Sequence, residues 1–204
     1  MATIWTAQTV NGNVSLTADQ LATFRQAYVS SPDLASRMSN LFWFDLYVYD
    51  REFGVSPHEV LREINSLEKG TSDTGTKPPT LFNFPPLKGL WHKHFFSAHF
   101  LVNNLLLALG KNGLEKLAKD EIGKKGAQIT DEILNALARR VANEPVDKRA
   151  NDGKLTGEWI VFAKHQGKNY YLCLNTHDAG DQAIYNRIME HCAKDFPQLS
   201  TWFG

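Results

Sequence analysis

Two strand-like runs, Glu158 to His165 and Lys168 to His177, meet at Gln166-Gly167 and read as a β-hairpin. In the first, Trp159, Val161 and Ala163 alternate with Ile160, Phe162 and Lys164. In the second, Tyr170, Leu172 and Leu174 alternate with Tyr171, Cys173 and Asn175. Both faces are largely apolar near the middle. Such a sheet needs cover on both sides, so the hairpin belongs inside a sheet packed between helices. The polar stretch Thr176 to Asp181 leads into a last helix, with Ile184, Tyr185, Ile188, Met189 and Cys192 on its inward stripe.

Helix signals dominate upstream. Thr3 to Val10 reads as a short strand, and Asn11-Gly12-Asn13 as a turn. Thr17 and Gln20 form a capping-box pattern before a helix that runs to about Ser30. Ser31-Pro32 starts a second helix, apolar on most faces through Leu34, Met38, Leu41, Phe42, Trp43, Phe44, Leu46 and Tyr47, and ended by Gly54. Ser56-Pro57-His58-Glu59 supplies a third start, with the capping-box pattern and the proline, and Gly70 stops that helix. Gly70 to Pro86 is irregular, first polar and then proline-rich with Leu81, Phe82 and Phe84; it reads as a long functional loop or connector. Leu87 to Phe96 fits either a strand or the first turns of a helix. Further helices are expected over about 97–109, 114–122 and 130–141, then a polar connector at 144–157. The expected fold is α+β and a single domain over 1–204. Several N-terminal and central helices pack on a small, mainly antiparallel sheet that contains the C-terminal hairpin followed by a last helix.

Composition narrows the class. With 43% hydrophobic and 22% charged residues the chain resembles an ordinary globular protein. The longest apolar stretch, Phe95 to Leu109, carries His99, Asn103 and Asn104 and falls short of the ~20 apolar residues a membrane span needs. The N-terminal residues lack the basic and apolar regions of a signal peptide. No membrane association and a cytoplasmic location are therefore expected. The two cysteines, Cys173 and Cys192, sit in apolar patterns and read as buried thiols.

The formal net charge of zero hides a segregation: net −3 over 1–84, +5 over 85–175 and −2 over 176–204. The basic middle is a modest hint of an anionic partner. Seven histidines are present. His92, His94 and His99 cluster in one aromatic run, and His177 closes a strand before a helix. On a strand His92 and His94 point the same way. No HExxH, Cys-x-x-Cys pair, GxSxG, GxGxxG or phosphate loop occurs, so no metal and no cofactor is expected.

Two functions fit these residues best, and a metal hydrolase with His92 and His94 sharing one ion ranks behind them. In the first, the chain is a partner-binding accessory protein, of the immunity, anti-defence or prophage type, that acts without catalysis. Phe82 and Phe84 are then the candidate contacts, and the neutral charge and lack of a catalytic motif agree with it. In the second, it is a metal-independent ribonuclease-like enzyme, with RNA as its partner. His92, His94 and His177 would share the proton work, since imidazoles titrate near neutrality. Lys93 or Lys168 would stabilise the charge building on the phosphate. Lys164 would contact phosphate, and Tyr170 and Tyr171 would stack a base. In layout, helices followed by a small antiparallel sheet with histidines at its edge, the chain resembles small bacterial toxin ribonucleases, without a matching motif.

Overall fold

The computed structural model describes residues 4–9, 11–29, 31–71, 73–95, 158–176 and 179–203. The helices expected over 97–109, 114–122 and 130–141, the connector at 144–157, and His99 and His177 lie outside the described residues. A first hairpin, β1 (Ile4–Thr9) and β2 (Gly12–Thr17), leads into α1 (Ala18–Tyr28), α2 (Pro32–Ser36), α3 (Asn40–Phe53) and α4 (Pro57–Lys69). The strands β3 (Thr80–Leu81), β4 (Trp91–His94), β5 (Trp159–His165) and β6 (Lys168–Asn175) follow, then α5 (Asp181–Cys192) and a short 3-10 helix, Leu199–Trp202. This is a mixed α+β fold, with the hairpin β5–β6 preceding the last helix.

The four later strands form one antiparallel sheet in the order β3-β4-β5-β6. Helices cover both of its faces. On one, Ile160, Phe162, Tyr171 and Leu174 pack against Phe42, Trp43 and Leu46 of α3. On the other, Val161, Ala163, Leu172 and Cys173 pack against Ile184, Ile188 and Cys192 of α5, with Phe196 and Trp202. Each fully buried large apolar side chain contributes about 1.5–3 kcal/mol. That two-sided burial is what the apolar faces of the hairpin demanded.

The hairpin departs from strict alternation at one point. The pairing shifts between Val161 and Phe162, so that Val161 faces Cys173 while Phe162 faces Tyr171. Leu172 is thus an extra residue, a β-bulge. Tyr171 shares the α3 face with Leu174, and Leu172 shares the α5 face with Cys173. The Leu172 carbonyl accepts from the Ser39 hydroxyl at 2.6 Å and from the Cys192 thiol at 3.4 Å.

The expected second helix is two helices. Arg37–Ser39 leaves the helical path and pairs with β6: Tyr171 N–H donates to Arg37 C=O at 2.7 Å, and Ser39 N–H to Tyr171 C=O at 2.9 Å. Ser39 then caps α3 by accepting from Phe42 N–H. A single helix through these residues would leave β6 unpaired here, and the sheet wins. A second correction concerns β2, read as a turn followed by a cap. Its Gly12-Asn13 start belongs to the strand, Thr9 pairing with Gly12, and Val14 and Leu16 face inward. A third concerns Ser56, whose side chain makes no capping hydrogen bond; the Thr17–Gln20 capping box is complete.

Two polar networks fasten these layers. Arg37, only 6% exposed, bonds Glu68 through both terminal nitrogens and also reaches Asp33 and Asn169 C=O. Glu68 accepts in addition from the Tyr171 hydroxyl at 2.6 Å and the Asn169 amide at 2.9 Å. Elsewhere Asp45, buried within α3, accepts from Leu174 N–H at 3.0 Å and pairs with Arg187 of α5. Both cysteines are free and buried. Burial pushes the Cys173 thiol up to about 12, and raises Cys192 as well.

Candidate functional site

Within the segment that fitted either a strand or a helix, Trp91–His94 is a strand, and that decides the geometry of the histidine run. On β4, His92 pairs with Val161 and His94 with Trp159, so both rings stand on the α5 side of the sheet, 5.8 Å apart. His92 is half-buried between Phe82 at 4.7 Å and Trp159 at 4.6 Å. His94 is 5% exposed. An acid or base must reach the substrate it protonates; in this arrangement the His94 ring is packed into the protein.

Lys93 lies on the opposite face, paired with Ile160. It is 4% exposed and forms an ion pair with Glu63 of α4 at 3.4 Å. It also donates to the Thr76 hydroxyl and to Lys77 C=O, the latter at 2.8 Å. Glu63 in turn accepts from the Thr74 and Thr76 hydroxyls at 2.7 and 3.0 Å. Burial lowers the Lys93 pKa, and the Glu63 carboxylate opposes that shift. The pair holds the start of the connector against α4, so Lys93 does not stand beside the histidines as a free charge for a phosphate.

The remaining candidates are spread over the sheet. Lys168 sits at the β5–β6 turn and pairs with Asp33 at 2.8 Å. From the level of His94, opposite Trp159, to that of Lys168, opposite His165, is six residues of strand, ~20 Å. Lys164 is exposed, its ammonium 3.8 Å above the Trp91 ring. Tyr170 packs among His165, Phe196 and Trp202. Tyr171 is fully buried, which leaves no ring face for a base. Thus His92 and His94 are brought together, and Lys93, Lys164, Lys168, Tyr170 and Tyr171 do not converge on them. No group of three or more metal-ligating side chains is found among the described residues. No helix among them is long and apolar enough to cross a membrane.

The two phenylalanines of the connector part company. Phe82 is 8% exposed and packs on His92 and Trp159. Phe84 is 77% exposed. The turn that carries it is closed by backbone bonds: Phe82 N–H to Leu90 C=O at 2.8 Å, Gly89 N–H to Phe82 C=O at 3.2 Å and Leu90 N–H to Leu87 C=O at 3.0 Å. Leu87 and Leu90 are fully buried and anchor it in the α5-side core. Beside it, Thr80 and Leu81 of the outermost strand are both exposed. Lys77 and Lys88 flank the turn, both exposed, and residues 74–95 contain no Asp or Glu.

Sequence reasoning missed a cleft, largely apolar in its lining, that contains the Asp45–Arg187 ion pair. Asp45, Tyr49, Asn175 and Arg187 line about 560 Å³ between the first hairpin, α3, the end of β6 and the middle of α5. Burial raises the Asp45 pKa, opposed by the Arg187 guanidinium. Burial likewise raises Tyr49, whose hydroxyl has no hydrogen-bond partner. The available signal was one carboxylate, Asp45, set in the apolar run Leu41–Tyr49.

Comparison with known proteins gives no match to a family model, a curated protein or a solved structure. The likeness to small toxin ribonucleases therefore rests on layout alone.

Proposed function

We propose that this protein works by binding a partner protein through the connector turn, not by catalysis. The observation that carries the reading is Phe84. Phe84 is three-quarters exposed on a turn anchored by buried Leu87 and Leu90, and with exposed Leu81 nearby in the same segment it presents apolar surface to a partner. An exposed aromatic side chain on an anchored turn is suited to fill a pocket on a partner, and a few such anchors can carry most of an interface's binding energy. The adjacent outermost strand adds Leu81 and backbone groups that a partner segment can bond. Lys77 and Lys88, with no nearby acidic residue in the segment, select the chemistry of that partner: an apolar socket rimmed by carboxylates. The spread of the lysines and tyrosines away from His92 and His94 weighs on the same side.

The test is site-specific cross-linking. A photoreactive phenylalanine analogue is placed at position 84 of the full chain in cells that carry the natural partner, and the adduct is identified by mass. Purified partner is then titrated with the wild type, Phe84→Ser and a Lys77→Glu, Lys88→Glu double variant. The reading expects at least about a tenfold loss for Phe84→Ser, and salt-sensitive binding that the charge reversals weaken. Equal affinity of all three chains defeats it. Loss of cellular RNA on expression, abolished by His92→Ala in a folded variant, would replace it with the ribonuclease reading.

A further inference from the structure

A second site lies away from the connector, among the N-terminal helices. The end of α1, α2 and the outer side of α4 enclose a cavity of about 320 Å³. That is within the size range of small-molecule pockets. Its walls include Val29, Leu34, Met38 and Leu61. Trp43 of α3 also lines it; this side chain is fully buried, and its indole N–H has no hydrogen-bond partner. Buried donors are almost always satisfied in folded proteins, so an orphan beside a cavity calls for an acceptor that the chain itself does not supply.

The rim has a defined charge. His58, Leu61 and Arg62 follow one another at helical spacing on the same side of α4. His58 and Arg62 are both exposed, and the Tyr28 ring meets His58 edge-on at 5.2 Å. No carboxylate lines the cavity. None of the ion pairs among the described residues uses Arg62. An apolar chamber with a cationic rim and one buried donor matches one kind of molecule.

We infer that this cavity binds a small amphipathic carboxylate, its anionic head at Arg62 and His58, its apolar body between Val29, Leu34 and Leu61, and an oxygen on that body accepting from Trp43. The guanidinium gives a charge-assisted bond to the head. The oxygen satisfies the indole N–H, and the walls remove the body from water. This site is independent of Phe84.

Three probes of one shape separate these contributions: 3-(4-hydroxyphenyl)propanoate, 3-phenylpropanoate without the distal oxygen, and the uncharged 3-(4-hydroxyphenyl)propanamide. Each is titrated into the full chain by calorimetry and by NMR of the assigned Trp43 indole proton. The hydroxy acid saturates a single site and shifts that proton. The other two bind about tenfold more weakly, one having lost the buried hydrogen bond and the other the ionic one. Arg62→Gln, at an exposed position, makes the acid and the amide equal. No saturable binding of any probe overturns the inference. So does equal affinity of acid and amide for the wild type, or binding that leaves the Trp43 proton unmoved.

Discussion

The two edges of the four-stranded sheet are finished in opposite ways. Along β6, the chain closes its own edge with Arg37–Ser39, bridging Met38 to Tyr171. The Arg37–Glu68–Tyr171 network then locks that seam from the side. At the other edge β3 has two residues, both exposed, and next to it Phe84 stands in water. An unpaired edge is a template for another chain, and proteins usually close or blunt such edges. Among the described residues, one edge is closed by the chain itself and the other carries no such closure.

The comparison breaks most easily at Arg37. Arg37→Ala leaves Glu68 without its cation and the seam without its clamp; chemical denaturation is expected to show a loss of about 3 kcal/mol. A loss under 1 kcal/mol would mean that the seam is not what holds β6. Ser39→Ala is next. It strips the bulged Leu172 carbonyl of its shorter hydrogen bond and α3 of its cap, for about 2 kcal/mol on the same assay.

Acid sharpens the contrast. Burial tends to raise the Glu68 carboxylate, but hydrogen bonds from Arg37, Tyr171 and Asn169 outweigh it and leave the pKa below its ordinary 4.5. A depressed carboxylate stabilises the fold fully above its unfolded value and loses that contribution as pH falls through the folded one. Wild-type stability should therefore fall as pH drops below 4.5, and Glu68→Gln should flatten that part of the profile. The smallest effect belongs to the open edge. Phe84→Ser should leave stability within about 0.5 kcal/mol while it removes partner binding. A large thermal shift instead would place Phe84 in the fold.

What the sequence disclosed was mostly local. Gln166-Gly167 between two alternating apolar runs is a short-range signal, and β5–β6 forms where it points. The positive φ of 49° at Gln166 and 75° at Gly167 is the backbone that such a turn requires. Gly54 and Gly70 end their helices in the left-handed conformation for an equally local reason. The bulge at Leu172 and the helix break at Arg37–Ser39 are one event between segments over 130 positions apart, and no window of either segment contains it. Ser39 followed by an apolar run was the only trace, and a stronger start at Ser31-Pro32 hid it. The candidate site shows the same limit. Once Trp91–His94 is a strand, the split of Lys93 from His92 and His94 follows from alternation. That Glu63 waits for Lys93 on α4, or that Phe82 turns in while Phe84 turns out, depends on tertiary packing.

The two cysteines offer a clock. Cys173 lies in the middle of the sheet and Cys192 at the end of α5, and neither sulfur meets solvent while the layers stay together. A thiol-reactive dye can modify them only through an opening of the α5 layer, since burial also suppresses the thiolate. Labelling rates at the two positions would thus time how often that layer lifts from the sheet, and whether it lifts as one piece or peels from its end.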